Sequence, residues 1–453
     1  MTGGKFYEEA QVRPARFRGL FGAALMLGPY EAPLAGIPAG RQWNQTPDAI
    51  GVDEVGPAFS AEEYEDRLRR VRERMAQDNI DLLWVMMPES MCYLHGFTSS
   101  WYQGNSRSAR SGTAVHVDHD KVIHFDSGYH SHLLEELSGP VEIRYFQGDP
   151  MGFMIKELDA KGWLGGTVGM EFQSYRPTRA ISKRFEAAFR GADCTVVDGS
   201  DVLLQVRLVK SPQELAYIEE AAAICDVGLQ AIAETLRPGV TELEVYGELM
   251  RAMYAAGGDT PALIQGVGVW RGGGEWGNGR RSHIVASRRR IKAGEVFGAD
   301  VCGVVHPYHS NANRNFVVGE PSGETIRDHG LSAGSFDVLC ETAKPGVPIK
   351  KVNDALLEYY KATGLWGGTG WALGYELGIS FPPDWVGKLS FSVREGGPSV
   401  RGVDADPAEW AFPIGTVTNW ESLWVRAPLI DTIVYEADGA RRLSTVPLEM
   451  IAV

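Results

Sequence analysis

Two carboxylates, Asp300 and Glu421, stand in apolar surroundings where another apolar residue would be the ordinary continuation. Asp300 ends the run that begins at Val296, and Glu421 lies between Trp420 and the pair Leu423-Trp424. A carboxylate in such a place orients a histidine, binds a cationic amidine or guanidinium group, or forms a salt bridge. The sequence therefore predicts an acidic functional site, and it leaves these three roles open.

A histidine is the residue type that could move protons at such a site. Hydrolysis of an unreactive bond needs a base to take a proton from water and an acid to protonate the leaving group. One imidazole, with an ordinary pKa of about 6.5, can do both near neutral pH. His283, which follows Arg280-Arg281-Ser282, is our first choice. The alternative is a histidine that is simply hydrogen-bonded at a strand edge.

Two further polar residues are candidates for contact with a reacting group. The Tyr375 hydroxyl could donate to a developing oxyanion, or it could bridge two strands. His309, in the pair Tyr308-His309, is a second candidate acid/base or substrate contact.

Two loops carry aromatic and charged residues that could line a pocket. Asp384 and Trp385 follow two consecutive prolines, and Trp101 and Tyr102 lie in a serine- and glycine-rich stretch. Aromatic rings of this kind favour a small cationic ligand. Anchoring of the loop is the alternative, and it is favoured for Tyr102. Arg110 is a candidate clamp for a substrate carboxylate, with a solvated charge as the alternative.

The composition indicates a soluble globular protein and excludes some partners. The chain has 453 residues, 44% hydrophobic and 23% charged, with a net charge of −14. This charge argues against nucleic acid and anionic membranes as partners. Five scattered cysteines without a C-x-x-C pair fit reduced thiols in the cytoplasm. The ten histidines form no recognised zinc pattern, so we predict no metal and no cofactor.

Pattern changes along the chain predict an arm at 1–57, an α/β domain at 58–205 and a second domain at 206–453. Ser60, with Glu63 three residues later, predicts a capped helix, and Ser211-Pro212 opens another over 211–233. Residues 88–112 are rich in turn formers. In the last domain, Pro238-Gly239 and Pro345-Gly346 precede helices predicted at 241–256 and 349–363, which indicates an internal duplication.

Two motifs resemble a known family. Residues 374–385 read G-Y-E-L-G-I-S-F-P-P-D-W, and residues 308–314 read Y-H-S-N-A-N-R. They are similar to motifs of the creatinase/aminopeptidase P superfamily (M24), and within it to the non-metal ectoine hydrolase and creatinase branch. The resemblance covers about residues 59–453. It implies a pseudo-symmetric pita-bread catalytic domain after a creatinase-like α/β domain.

The resemblance also implies roles for particular residues. His283 matches the proton shuttle of creatinase, and Glu421 matches a glutamate that binds its substrate. It implies a homodimer in which the loop of Trp101 and Tyr102 reaches the neighbouring active site. Asn313 stands where creatinase has a substrate-binding glutamate, which counts against creatine as substrate.

The resemblance implies that the metal site of the peptidase relatives is lost. Those relatives use two aspartates, a histidine and two glutamates. The matching positions here are Asp300, Asn311, Tyr375, Glu421 and Ile430. Asparagine is a weak neutral ligand, tyrosine a poor one at neutral pH, and isoleucine none.

The sequence thus predicts a metal-independent hydrolase that cleaves a C–N bond of a small amidine, amide or guanidino compound. Ectoine-type ring opening is the first guess and creatinase-type cleavage the second. The alternatives are a Xaa-Pro-type metallopeptidase, a metal-dependent lyase of the same fold, and a binding protein without catalysis.

Overall fold

The computed structural model describes residues 56–453, apart from 108–110, 130, 270–285, 368–369, 404 and 425–426. All but the last two residues of the predicted arm at 1–57 lie outside the described residues.

The first part of the chain alternates helices and strands, as predicted. Its elements are α1 (Ala61–Gln77), β1 (Leu82–Val85), α2 (Pro88–His95), α3 (Ser100–Gly104), β2 (Gly112–His116), β3 (Val122–Asp126), α4 (Ser131–Leu137), β4 (Glu142–Tyr145), α5 (Pro150–Ala160), β5 (Thr167–Met170), α6 (Arg179–Gly191), β6 (Thr195–Asp198) and α7 (Ser200–Leu208). The strands form one mixed sheet in the order β4-β3-β2-β1-β5-β6. The stretch at 88–112, predicted as rich in turns, also contains two short helices, which begin at Pro88 and after the N-cap Ser99.

The second part is built around a larger sheet. Its elements are α8 (Pro212–Thr235), α9 (Glu242–Ala255), β7 (Gly266–Val269), β8 (Val296–Val305), β9 (Tyr308–Val317), α10 (Gly323–Thr342), α11 (Ile349–Thr363), β10 (Gly370–Tyr375), β11 (Ser390–Ser392), β12 (Ser399–Arg401), β13 (Val417–Trp424), β14 (Ala427–Glu436), β15 (Gly439–Arg442) and β16 (Ile451–Ala452). Eight strands run in the order β12-β11-β10-β13-β14-β9-β8-β7, with β15 paired to β14 and β16 to β9. The mixed α/β architecture is therefore confirmed.

Local sequence explains where the helices begin. The Ser211 side chain accepts from the Glu214 backbone N–H while Glu214 caps the Ser211 backbone in return, and Thr241 and Glu244 repeat this box at α9. The Ser60 cap of α1 is also confirmed. Gly239 and Gly346 both have positive φ, which is why a glycine precedes each duplicated helix.

Helix α8 covers one face of the large sheet and leaves the other face for the site. A Cβ at Gly303 would collide with the Ala221 carbonyl, so only glycine lets α8 approach β8 so closely. Asp300 and Gly303 are an odd number of residues apart on β8, so the Asp300 side chain points away from α8. Among the described helices, none combines the length and hydrophobicity that a membrane span requires.

A pair of histidines is buried in the first part of the chain. The rings of His95 and His124 lie 4.5 Å apart between centroids. Both His95 nitrogens are buried without a hydrogen-bond partner among the described residues. Burial lowers the pKa of His95 to about 3 and that of His124 well below its usual value, so both rings stay neutral in the folded protein.

We expect acid to destabilise this region. Below about pH 6.5 these histidines bind protons in the unfolded chain but remain neutral in the folded protein. The free energy of unfolding therefore falls as the pH drops toward 3. Each such histidine contributes at most about 1.4 kcal/mol per pH unit. His95→Phe should therefore lose less stability than wild type between pH 7.5 and 5, measured by urea denaturation. The exposed His132→Phe is the control, and an unchanged pH dependence in His95→Phe would contradict the assignment.

Candidate active site

The register of the large sheet brings four residues from four strands into one row. Glu421 on β13 pairs with Ile430 on β14, Ile430 with Asn313 on β9, and Asn313 with Asp300 on β8. Side chains of directly paired residues lie on the same face of a sheet. The two predicted carboxylates are therefore buried in the same row, with Ile430 and Asn313 between them.

A second row on the same face lies two residues further along each strand. It contains Tyr375, Asn419, Thr432, Asn311 and Cys302. The Asn419 amide donates to Glu421 Oε1 at 2.7 Å, and its Oδ1 accepts from the Tyr375 backbone N–H at 2.9 Å. The Thr432 hydroxyl bonds both backbone groups of Asn311. These bonds hold the two rows in register across the strands.

Asp300 and Asn311 form a buried pair at one end of the site. Asn311 Nδ2 donates to Asp300 Oδ1 at 2.7 Å and to the Val301 carbonyl at 3.2 Å. The Cys302 sulfur lies 3.5 Å from the same nitrogen. Burial, and next the Asp300 charge, raise the pKa of Cys302 well above its usual value, so it remains a thiol.

Glu421 and Tyr375 form the other end. Burial, and next the Asp300 charge, raise the pKa of Glu421 to about 7. Burial, and next the charges of Glu421 and Asp300, raise the pKa of Tyr375 well above its usual value. The Tyr375 hydroxyl is hydrogen-bonded to Glu421 and stays protonated, so it is a donor.

Trp385 and His309 form an aromatic wall beside Tyr375. The Trp385 ring lies 5.6 Å from the Tyr375 ring and 6.5 Å from the His309 ring. His309 Nδ1 donates to the Pro307 carbonyl at 2.9 Å, and Nε2 accepts from the Ala262 N–H at 3.0 Å. Burial lowers the pKa of His309 to about 4. Both nitrogens are engaged by backbone, so a hydrogen bond from His309 to substrate, as the sequence suggested, does not fit this geometry.

The other predicted residues lie apart from these rows. Asp384 is exposed. Burial raises the pKa of Glu89 on α2, and the Asp384 charge adds a smaller contribution in the same direction. Trp101 is 46% exposed on α3. Tyr102 is buried in the first part of the chain, where its hydroxyl donates to Asp126 Oδ2 at 2.8 Å and contacts His124. This hydroxyl therefore anchors α3, which is the alternative that the sequence favoured.

His283 and Arg110 lie outside the described residues.

Sequence reasoning missed Asn419 and the ion pair between Lys210 and Glu376. Asn419 is two residues before Glu421, so strand alternation was a signal that could have found it. Lys210 Nζ lies 2.7 Å from Glu376 Oε1, and both side chains are buried. Glu376 Oε2 accepts from the Lys388 N–H at 3.0 Å. The pair thus ties the start of α8 to the residue that follows Tyr375 and to the segment after Trp385.

Comparisons with known proteins give the family. The model of metallopeptidase family M24 matches residues 216–396, and that of the creatinase/prolidase N-terminal domain matches residues 67–209. Ectoine hydrolase of Halomonas elongata is 25% identical, over 75% of this chain and 86% of its own. Creatinase of a Bacillus species is 24% identical, and the match covers 73% of this chain and 78% of the creatinase. Xaa-Pro dipeptidase of Pyrococcus furiosus is 22% identical, and the match covers 85% of this chain and 99% of the dipeptidase.

Solved structures agree on the fold. The prolidase from Pyrococcus horikoshii superposes with a TM-score of 0.66 at 20% identity, and the match covers 84% of this chain and 99% of that one. The fold and the matches define a hydrolase with a pita-bread domain after a creatinase-type domain. The chain belongs to the creatinase/aminopeptidase P superfamily, metallopeptidase family M24.

The family name implies a metal, but the described residues do not fit a two-metal cluster. The Asn311 amide donates to Asp300 Oδ1, so its N–H group occupies an oxygen that a metal would need. Tyr375 is protonated, and Ile430 offers no donor atom. Across the described part of the chain, no group of three or more His, Cys, Asp or Glu side chains could hold a metal ion.

We expect the buried ion pair to hold the Tyr375 end of the site. Lys210→Met leaves Glu376 buried and uncompensated, which should cost about 3–5 kcal/mol of unfolding free energy. The double variant Lys210→Met/Glu376→Gln removes both charges but keeps an acceptor for the Lys388 N–H, so it should regain a large part of this loss. Urea denaturation followed by tryptophan fluorescence measures both changes.

The exposed pair of Lys350 and Asp354 provides the matched control, since Lys350→Met should cost less than about 1 kcal/mol. Equal losses in Lys210→Met and Lys350→Met would refute the anchoring role.

Proposed function

We propose that this protein is a metal-independent hydrolase that cleaves a C–N bond of a small cationic amidine, amide or guanidino compound. Ectoine-type ring opening is the first candidate reaction and creatinase-type cleavage the second. One observation carries the proposal. Asp300 and Glu421 share a buried face with asparagines and a protonated tyrosine, where a metal cluster would need more anionic or imidazole ligands.

The charge of the site supports a cationic ligand. Two buried carboxylates in electrostatic contact are unfavourable unless a proton or a cation compensates them. Glu421, with its pKa raised to about 7, is partly protonated near neutral pH. An amidinium or guanidinium group that bonds to Asp300 and Glu421 replaces this proton and relieves the repulsion. The Trp385 ring beside Tyr375 would pack against such a cation.

The proposed mechanism needs one group to carry protons. His283 takes a proton from water, and the resulting hydroxide adds to the amidine or amide carbon. For an amide, Tyr375, as a neutral donor, and backbone N–H groups stabilise the tetrahedral oxyanion. For an amidinium the adduct is neutral, and Tyr375 hydrogen-bonds the added hydroxyl group. Asp300 and Glu421 hold the cationic part of the substrate. His283 then returns its proton to the leaving nitrogen as the C–N bond breaks.

The similarity to ectoine hydrolase and creatinase supports the non-peptide substrate class. The similarity to Xaa-Pro dipeptidases supports a metallopeptidase as the alternative function. We further propose the arm at 1–57, the domains at 58–205 and 206–453, a homodimer and a cytoplasmic location. The two family-model matches, at 67–209 and 216–396, support a division near residue 206.

A substrate panel with and without chelator tests the proposal. Ectoine, hydroxyectoine, creatine and Xaa-Pro dipeptides are incubated with full-length protein, and released products are quantified. We expect one of the non-peptide compounds to be cleaved at the same rate with and without EDTA. Cleavage of only the dipeptides, or a rate that EDTA abolishes and Mn²⁺ or Zn²⁺ restores, would select the metallopeptidase instead.

Replacement of His283 separates catalysis from binding. Since His283→Ala removes the proposed proton carrier, turnover should fall at least about 100-fold, while the dissociation constant of the substrate changes little. Calorimetry measures binding and product analysis measures turnover. His309→Phe is a matched control, because both His309 nitrogens are bonded to backbone. Undiminished turnover in His283→Ala would rule out its assigned role.

A further inference from the structure

Two asparagine oxygens on the site face have no hydrogen-bond partner. Asn311 is 1% exposed and Asn313 is 5% exposed, and both are on β9. Their Oδ1 atoms are buried, and no partner for either atom exists among the described residues. An unpaired buried acceptor destabilises the folded protein, because its hydrogen bonds to water are lost and not replaced. Two of them on adjacent rows of one face therefore point to a ligand that supplies the missing donors.

The orientation of the Asn311 amide follows from its neighbours. A carboxylate and a carbonyl only accept hydrogen bonds, so the –NH₂ group must face Asp300 Oδ1 and the Val301 carbonyl. The oxygen then points away from both. The Asn311 amide therefore donates its hydrogen bonds within the protein, and its oxygen remains as an unpaired acceptor on the site face.

Other buried asparagines do not share this feature. Asn419 uses its amide on Glu421 and its oxygen on the Tyr375 N–H. Asn353 uses its amide on the Arg394 carbonyl and its oxygen on the Arg394 N–H. Asn419 and Asn353 are thus paired at both ends, whereas Asn311 and Asn313 on the site face each keep an unpaired oxygen.

We propose that Asn311 and Asn313 accept two N–H groups of the substrate and so select a monocation with two N–H donors, of the amidinium or guanidinium class. This inference rests on the proposed function and names its specificity residues. The two side chains leave β9 about 6.7 Å apart along the strand, close enough to converge on one small planar group. Asn313 pairs directly with Asp300, so the acceptors lie beside the counter-charge.

Neutral acceptors suit this ligand better than further carboxylates. Aspartates at 311 and 313 would add charge to a face that already carries Asp300 and Glu421, and four carboxylates would favour a divalent metal over a monocation. Amide oxygens accept hydrogen bonds without adding charge. The site is therefore proposed to select its ligand by the number of N–H donors as well as by charge.

Two probes of equal charge test the proposal. 2-Methylimidazolinium has two N–H groups, and 1,2-dimethylimidazolinium has one of them replaced by N–CH₃. Calorimetry on the full-length protein at millimolar probe should show the first binding at least about 10-fold more tightly, because the second leaves an acceptor unpaired. Asn313→Leu should reduce this ratio to below about 3-fold. Asn313→Asp keeps an acceptor and should keep the ratio.

Ile430→Val is the matched control in the same row, since it removes no acceptor and should change both affinities by the same factor. Equal affinity of wild type for the two probes, or an unchanged ratio in Asn313→Leu, would overturn the inference. Discrimination without cleavage of any substrate in the panel would leave the inference standing and reject the proposed function. Cleavage of a substrate in the panel together with equal affinity for the two probes would support the proposed function and reject the inference.

Discussion

The candidate site depends on the pairing of β9 with β14. Glu421 and Asp300 face the same buried surface only because Ile430 pairs with Asn313 in the middle of the row. A slip of one residue would turn every side chain of one strand to the other face. The buried ion pair on that opposite face prevents this. Arg314 Nη2 lies 2.6 Å from Asp431 Oδ2, and Arg314 also donates to the Ile430 carbonyl. Each partner is the residue directly after a member of the row.

The network around this pair extends the constraint beyond two strands. Asp431 also accepts from Arg442, and Ser444 joins Arg314 to Asp226 of α8. The helix on one face and the site on the other are thus fixed by the same charges. A buried arginine that makes six or more hydrogen bonds is fully compensated, so it imposes register without leaving an unpaired charge.

The sequence predicted the elements that depend on local chemistry. Ser211 with Pro212 fixed the start of α8, and the helix at 349–363 has the predicted bounds. The apolar runs around Asp300 and Glu421 indicated their burial correctly. The sequence alone did not predict contacts between residues far apart in the chain. No local pattern shows that Lys210 bonds to Glu376, from which it is separated by 166 residues. The unpaired oxygen of Asn313 could not be predicted for the same reason, since only the strand pairing in the folded protein shows which hydrogen-bond partners an asparagine has.

Ile430 explains how a row of polar residues can suit an organic cation better than a bare ion. It stands between Glu421 and Asn313, so this apolar side chain has a polar neighbour on either side in the row. A bare metal ion gains nothing from an apolar floor and needs donors on every side. In the proposed complex, a small organic cation would bury its carbon atoms on the isoleucine while its N–H groups reach the acceptors on either side. An isoleucine at this place offers no donor to a metal and at the same time provides an apolar surface for carbon.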